Sequence, residues 1–102
     1  MRLSLQTLRL LHVFLEAPAE PRYGLELMRR TGIKSGTIYP ALHRLEDEGW
    51  LRSFTEELDP VQAGRPARRL YALTDAGAAA ARAAAEPFQT PAPAPTLKPR
   101  TA

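Results

Sequence analysis

Leucines at positions 5, 8, 11 and 15 recur every three or four residues, the spacing that lines one side of an α-helix turning about 100° per residue. The pattern predicts a first helix over residues 5–15, with Leu5, Leu8, Leu11 or His12, and Leu15 facing inward. Gln6, Arg9 and His12 interrupt the apolar run at every third position, so the segment is amphipathic. Ala17-Pro18 and Glu20-Pro21 close it, because proline cannot continue a helix and pushes its predecessor toward extended backbone. A second helix is expected from about Tyr23, with Leu25, Leu27 and Met28 ahead of Arg29-Arg30. Gly32 then offers the left-handed residue that ends helices, and Ile33 an apolar plug for the turn.

The third helix opens at Ser35, the expected N-cap, and ends at Gly49. Ile38, Ala41, Leu42 and Leu45 fall on one face and should pack inward. The opposite face gathers Gly36, Thr37, Pro40, His43, Arg44 and Asp47, with Tyr39 on its flank. Pro40 gives up one backbone hydrogen bond, to the Gly36 carbonyl, an odd local choice that hints at function or a special start geometry. Two short helices joined by a glycine-containing turn at residues 31–34 form a helix-turn-helix, the unit that lays its second helix in the major groove of DNA.

Residues 50–55 and 69–73 are rich in aromatic and aliphatic side chains and predict two strands. The loop between them, about a dozen residues with Asp59-Pro60, Gly64 and Arg65-Pro66, is long enough to be functional or disordered. An antiparallel pair after a helix-turn-helix is a wing. Thr74 is the expected cap of a last helix, with Asp75 placed against its positive end. Residues 76–85 are almost all alanine, which favours helix but offers little area to bury, and Pro87 is expected to stop the helix. The fold expected is mainly α with a two-stranded β wing. Residues 1–86 form one domain, and residues 87–102 a Pro/Ala-rich disordered tail.

Charge sharpens this picture by where it lies. The formal net charge is +3, but Lys98 and Arg100 sit in the tail, leaving twelve basic against eleven acidic residues before it. Between Leu27 and Leu45 stand Arg29, Arg30, Lys34 and Arg44 with no acid, and between Pro60 and Thr74 stand Arg65, Arg68 and Arg69, again with none. Two basic patches on a nearly neutral domain suit phosphates. With no cysteine, disulfides and thiolate metal sites are excluded, and a reducing compartment fits. The polar stripe of the first helix argues against a signal peptide, and no run approaches membrane-spanning length. Glu46-Asp47-Glu48 diverge around a helix and read as a solvated end rather than a catalytic cluster. His12 and His43 lack partners at metal-ligand spacing. Neither enzyme chemistry nor a cofactor is expected.

Three stretches carry a resemblance. Tyr23-Gly24-Leu25-Glu26-Leu27, then Gly32-Ile33-Lys34-Ser35-Gly36-Thr37-Ile38-Tyr39-Pro40-Ala41-Leu42, then Leu45-Glu46-Asp47-Glu48-Gly49-Trp50-Leu51 resemble the PadR family of bacterial transcriptional regulators. Gly64-Arg65-Pro66-Ala67-Arg68-Arg69-Leu70-Tyr71-Ala72-Leu73-Thr74-Asp75-Ala76-Gly77 resembles the same family's closing motif. The resemblance covers roughly residues 5–85 and implies a winged helix-turn-helix repressor that dimerises on a two-fold symmetric operator. It carries over Lys34, Ser35, Gly36, Thr37, Tyr39 and Pro40 as the groove-facing start of the recognition helix, and Gly64, Arg65, Arg68 and Arg69 as the wing contact. Arg44 joins Tyr39 and the wing arginines as an expected phosphate contact. Family members usually extend the last helix and dimerise through it and the first; here Pro87 is expected to cut it to about three turns with no leucine stripe. The partners expected are double-stranded DNA and a second copy of the chain through the first and last helices, in the cytoplasm and on the nucleoid. Any small-molecule effector is left undefined. A winged helix that docks a protein partner in place of DNA is the alternative reading.

Overall fold

The computed structural model describes residues 3–89. Helix α1 spans Leu5–Glu16, strand β1 Arg22–Tyr23, α2 Gly24–Thr31 and α3 Ser35–Asp47. Strand β2 (Leu51–Thr55), the short helix α4 (Pro60–Ala63), strand β3 (Arg69–Leu73) and helix α5 (Asp75–Gln89) follow. The strands form one antiparallel sheet in the order β1-β3-β2. The expected hairpin is present, with Leu51 opposite Leu73 and Thr55 opposite Arg69. It gains a third strand from Arg22 and Tyr23, which pair with Tyr71 and Leu70. Helices α1, α2 and α3 with the sheet and α5 make a winged helix-turn-helix.

The turn between α2 and α3 closes as its residues dictate. Gly32 is left-handed (φ 74°), and its amide donates to the Met28 carbonyl. The buried Thr31 hydroxyl donates to the Leu27 carbonyl at 2.7 Å and accepts from the Ile33 amide at 3.1 Å. Ile33 is buried in the core with Leu10, Phe14, Leu27, Ile38, Leu42 and Leu45. The four inward residues expected on α3 are all buried.

Three expectations need correction. The buried face of α1 is Thr7, Leu10, Leu11, Val13 and Phe14, whereas Leu5 is 67% exposed and His12 also lies at the surface. Leucines populate most of this helix's circumference, so their spacing defined an apolar face without deciding which one the core takes. The cap of α3 is Lys34, extended at φ −79° and ψ 159°, with Ser35 already inside the helix. The extended backbone at Lys34 sets the boundary, and lysine has no acceptor to offer the first-turn amides. Finally, α5 runs through Pro87 to Gln89. An alanine run of high helix propensity leads into that proline, which removes one backbone donor near the helix end rather than many in its middle. The tail expected to be disordered lies, from Thr90 onward, outside the described residues.

α5 docks by its backbone. Gly49 is left-handed (φ 79°) and turns the chain from α3 into β2. The Thr74 amide donates to the Trp50 carbonyl at 3.0 Å, and the Thr74 hydroxyl donates to the Gly49 carbonyl at 2.6 Å. The same hydroxyl accepts the Gly77 amide at 2.9 Å, the cap expected of Thr74. A β-carbon added at Gly77 would overlap the Trp50 carbonyl. Alanine in a helix normally gains about 1 kcal/mol over glycine. Here the overlap with backbone should reverse the sign, and Gly77→Ala should lose roughly 2 kcal/mol net in chemical denaturation. A stabilised variant would show that α5 docks elsewhere.

Candidate nucleic-acid interface

The first turn of α3 is open. No side chain caps it, and the Ser35 and Gly36 amides find no acceptor among the described residues. Lys34, Ser35, Gly36, Thr37, Tyr39, Pro40, His43 and Arg44 are all exposed, and a β-carbon at Gly36 would meet open space. Free amides at a helix start, with the helix dipole behind them, suit an anion. Pro40 leaves α3 unbroken and shares the outer face with Gly36.

Tyr39 turns toward the start of α2, where its ring end occupies the space a side chain at Gly24 would need. Tyr39, Tyr23, Gly24, Leu25, Arg68 and Arg69 line one cleft of about 240 Å³. This cleft brings together the recognition helix, the start of α2 and the base of the wing. The expectation for Tyr39, Arg68 and Arg69 thus finds them side by side. Tyr23 and Gly24 escaped attention as cleft walls because Tyr23 is placed by β1, a two-residue strand with no periodicity to read, and Gly24 follows it at the start of α2.

The arginines of the wing divide. Arg68 stacks on the Tyr23 ring, 4.1 Å from its centroid. Arg69 donates to the Ser53 hydroxyl at 2.8 Å, and that hydroxyl donates to Glu46. Glu46, expected to be a solvated helix end, is therefore half-buried and engaged, while Asp47 and Glu48 are exposed. Tyr71 beside them has its phenol pushed up by burial, against the lowering pull of Arg69, so it stays neutral at physiological pH.

Arg65, in contrast, turns back into the hairpin. Its guanidinium donates to both oxygens of Glu56, at 2.7 and 3.1 Å, and Glu56 also accepts the Arg68 amide. The loop holds a capped turn of helix, with Asp59 accepting the Val61 amide and Gly64 left-handed at φ 70°. At the other end of the domain Glu16 holds Arg30, and Arg22 bonds Glu26. Among the described residues Lys34, Arg44, Arg68 and Arg69 form no salt bridge. The cations without carboxylate partners thus include those of the α3 face and wing base.

Residues 10–83 match the transcriptional regulator PadR-like family. The chain belongs to that family. A PadR family transcription regulator from Clostridium difficile superposes with a TM-score of 0.69 at 20% identity, covering 84% of this chain and 88% of its own. A PadR family regulator from Eggerthella lenta gives 0.62 at 28% identity, covering 82% and 75%. Apo MarR from Escherichia coli gives 0.67 at 20% identity, and the match covers 82% of this chain but only 56% of MarR. No curated protein sequence matches the chain. The motifs that carry the PadR-like resemblance now have physical duties: Thr74 and Gly77 dock α5, and Gly24 makes room for Tyr39. Among the described residues no helix is long and apolar enough to cross a membrane.

The Glu56 carboxyl is held below the ordinary glutamate range chiefly by the Arg65 hydrogen bond, outweighing the upward effect of burial. A carboxylate whose folded pKa is depressed contributes fully above its unfolded value and loses that contribution as pH falls through the folded one. The wing loop should stay pinned from neutral to mildly acid pH and loosen only below the ordinary glutamate range. Amide resonances of Gly64 and Arg68 followed by NMR through acid titration check this; loosening near pH 6 would mean another group holds the loop.

Proposed function

We propose that this PadR-like regulator is a sequence-specific DNA-binding repressor that acts by occupying promoter DNA. One observation carries the reading: the uncapped, acid-free start of α3 shares a surface with the cleft where Tyr39 and Arg69 are exposed and Arg68 is half-buried. The first turn of α3 enters the major groove, where Lys34, Ser35 and Thr37 supply the base-edge contacts and Gly36 permits close approach, since only that turn reaches the groove floor. Pro40 lies against the groove wall. Tyr39, Arg44, Arg68 and Arg69 take phosphates, fixing register and much of the affinity. Arg65 serves mainly as a brace, its charge offset by Glu56. The protein works in the cytoplasm, on the nucleoid, and without a cofactor.

The repressor is proposed to bind as a homodimer. A mainly apolar groove of about 220 Å³ between α1 and α5 is lined by Leu5, Leu8, Leu11, Leu15, Ala81 and Ala85, with Arg9 and His12 at its edge. Its open part is the outer side of α1, with Leu5 exposed and Leu8 and Leu15 half-buried, and a second copy would bury it. Two-fold symmetry then requires half-sites about ten base pairs apart, or a multiple of that.

Selection of bound duplexes from a random pool should return a palindrome. Arg69→Ala and Arg44→Ala should each weaken binding to every duplex and flatten the dependence of log K on log salt by about one unit. Arg65→Ala should change that slope far less. A chain that binds no duplex even at low salt would overturn this function and favour the protein-docking alternative. Separately, Leu8→Glu should shift sedimentation toward monomer and lower operator affinity; an unchanged oligomer would place the dimer contact off α1.

A further inference from the structure

Ser53 lies on β2 opposite Tyr71, and Arg69 lies on β3 opposite Thr55, so the two occupy diagonal positions on one face of the sheet. The Ser53 hydroxyl is both a donor, to Glu46 on α3, and an acceptor, from Arg69 at 2.8 Å. A hydroxyl has one hydrogen. Committing it to Glu46 turns the lone pairs toward Arg69, and the charge on Glu46 strengthens the acceptor. The chain Glu46–Ser53–Arg69 thus ties the end of the recognition helix to the base of the wing.

We infer that Ser53 is a positioning residue that presets Arg69 for a phosphate. An exposed arginine otherwise samples many rotamers, and binding must freeze them. In this chain one guanidinium nitrogen of Arg69 is held by Ser53, the Tyr71 phenol lies beside the same guanidinium, and further N–H groups remain for the cleft it shares with Tyr39. Because Glu46 belongs to α3, the same link fixes the wing phosphate contact relative to the groove contact. Base reading and backbone gripping are thereby kept in one register. The serine touches no DNA itself; it acts through Arg69.

The inference rests on the DNA-binding reading above, and the test separates the two. The full chain is titrated with the duplex recovered by selection, using wild type, Ser53→Ala, Arg69→Ala and the double variant. Ser53→Ala should weaken binding roughly two- to tenfold, the penalty of ordering one long side chain. Its salt slope should stay that of the wild type, because no charge is removed. In the Arg69→Ala background the serine change should have no effect, and Ser53→Thr, which keeps the hydroxyl, should restore affinity. A loss of equal size in both backgrounds, or none in either, overturns the inference. Arg69 Nε–H relaxation in the free protein supplies a readout without DNA: ordered in wild type, mobile in Ser53→Ala. Equal mobility in the two overturns the positioning role whether or not any duplex binds; absence of duplex binding alone sinks the DNA reading.

Discussion

The contact between Thr74–Gly77 and the backbone of Gly49–Trp50 holds four elements at one point: the end of α3, the start of β2, the end of β3 and the start of α5. α5 brings mostly alanines, which bury little apolar area each, and while Ala81 joins the core, the first turn of the helix is placed by hydrogen bonds and close backbone approach. Each neutral hydrogen bond contributes about 1 kcal/mol net. The absence of a side chain at Gly77 decides whether those bonds can form at all. Since the hairpin leaves from this junction, the same contact sets the angle between wing and recognition helix. The proposed DNA surface, made from both, would thus depend on a glycine and a threonine that lie outside it.

Electrostatics at the proposed interface follow from where the acids go. The chain is nearly neutral before its tail, yet Glu16, Glu26 and Glu56 are engaged by Arg30, Arg22 and Arg65. The surface pair Arg30–Glu16 contributes little stability. The larger consequence of the three pairs is subtraction: they remove acids from the field of the α3 face, leaving Lys34, Arg44, Arg68 and Arg69 without a carboxylate partner among the described residues. Screening over about 10 Å at 0.1 M salt makes such local excess matter more than the net sum.

The order of elements was legible because each carries a local signal: glycine at residues 32 and 49, proline after α1, β-favouring residues in two blocks, threonine before an alanine run. The core face of α3 was legible for the same reason, since its other face is polar. α1 lacks that contrast, and only the fold reveals that the polar Thr7 is inside and Leu5 outside. β1 was invisible, being two residues held by Tyr71 and Leu70 from far along the chain. The candidate site was legible as composition and motif, but not as pairing. Nothing at the level of spacing distinguishes Arg65, drawn inward by Glu56, from Arg69, which lies across Ser53; both follow from hairpin register and loop shape.

The outer face of α1 bears on symmetry. A stable dimer usually buries about 800 Å² on each partner. The described groove offers the outer leucines of α1 and two alanines of α5, Ala81 and Ala85, which amount to a fraction of that. An interface so small is weak in isolation and gains from any second tie between the copies. A two-fold symmetric operator is such a tie, because it holds both recognition helices at fixed spacing and raises the effective concentration of one copy at the other. By linkage, whatever strengthens the α1 contact then strengthens operator binding to the same extent. On the proposed reading, the small α1–α5 interface makes a dimer that is weak in solution and tightens on its operator.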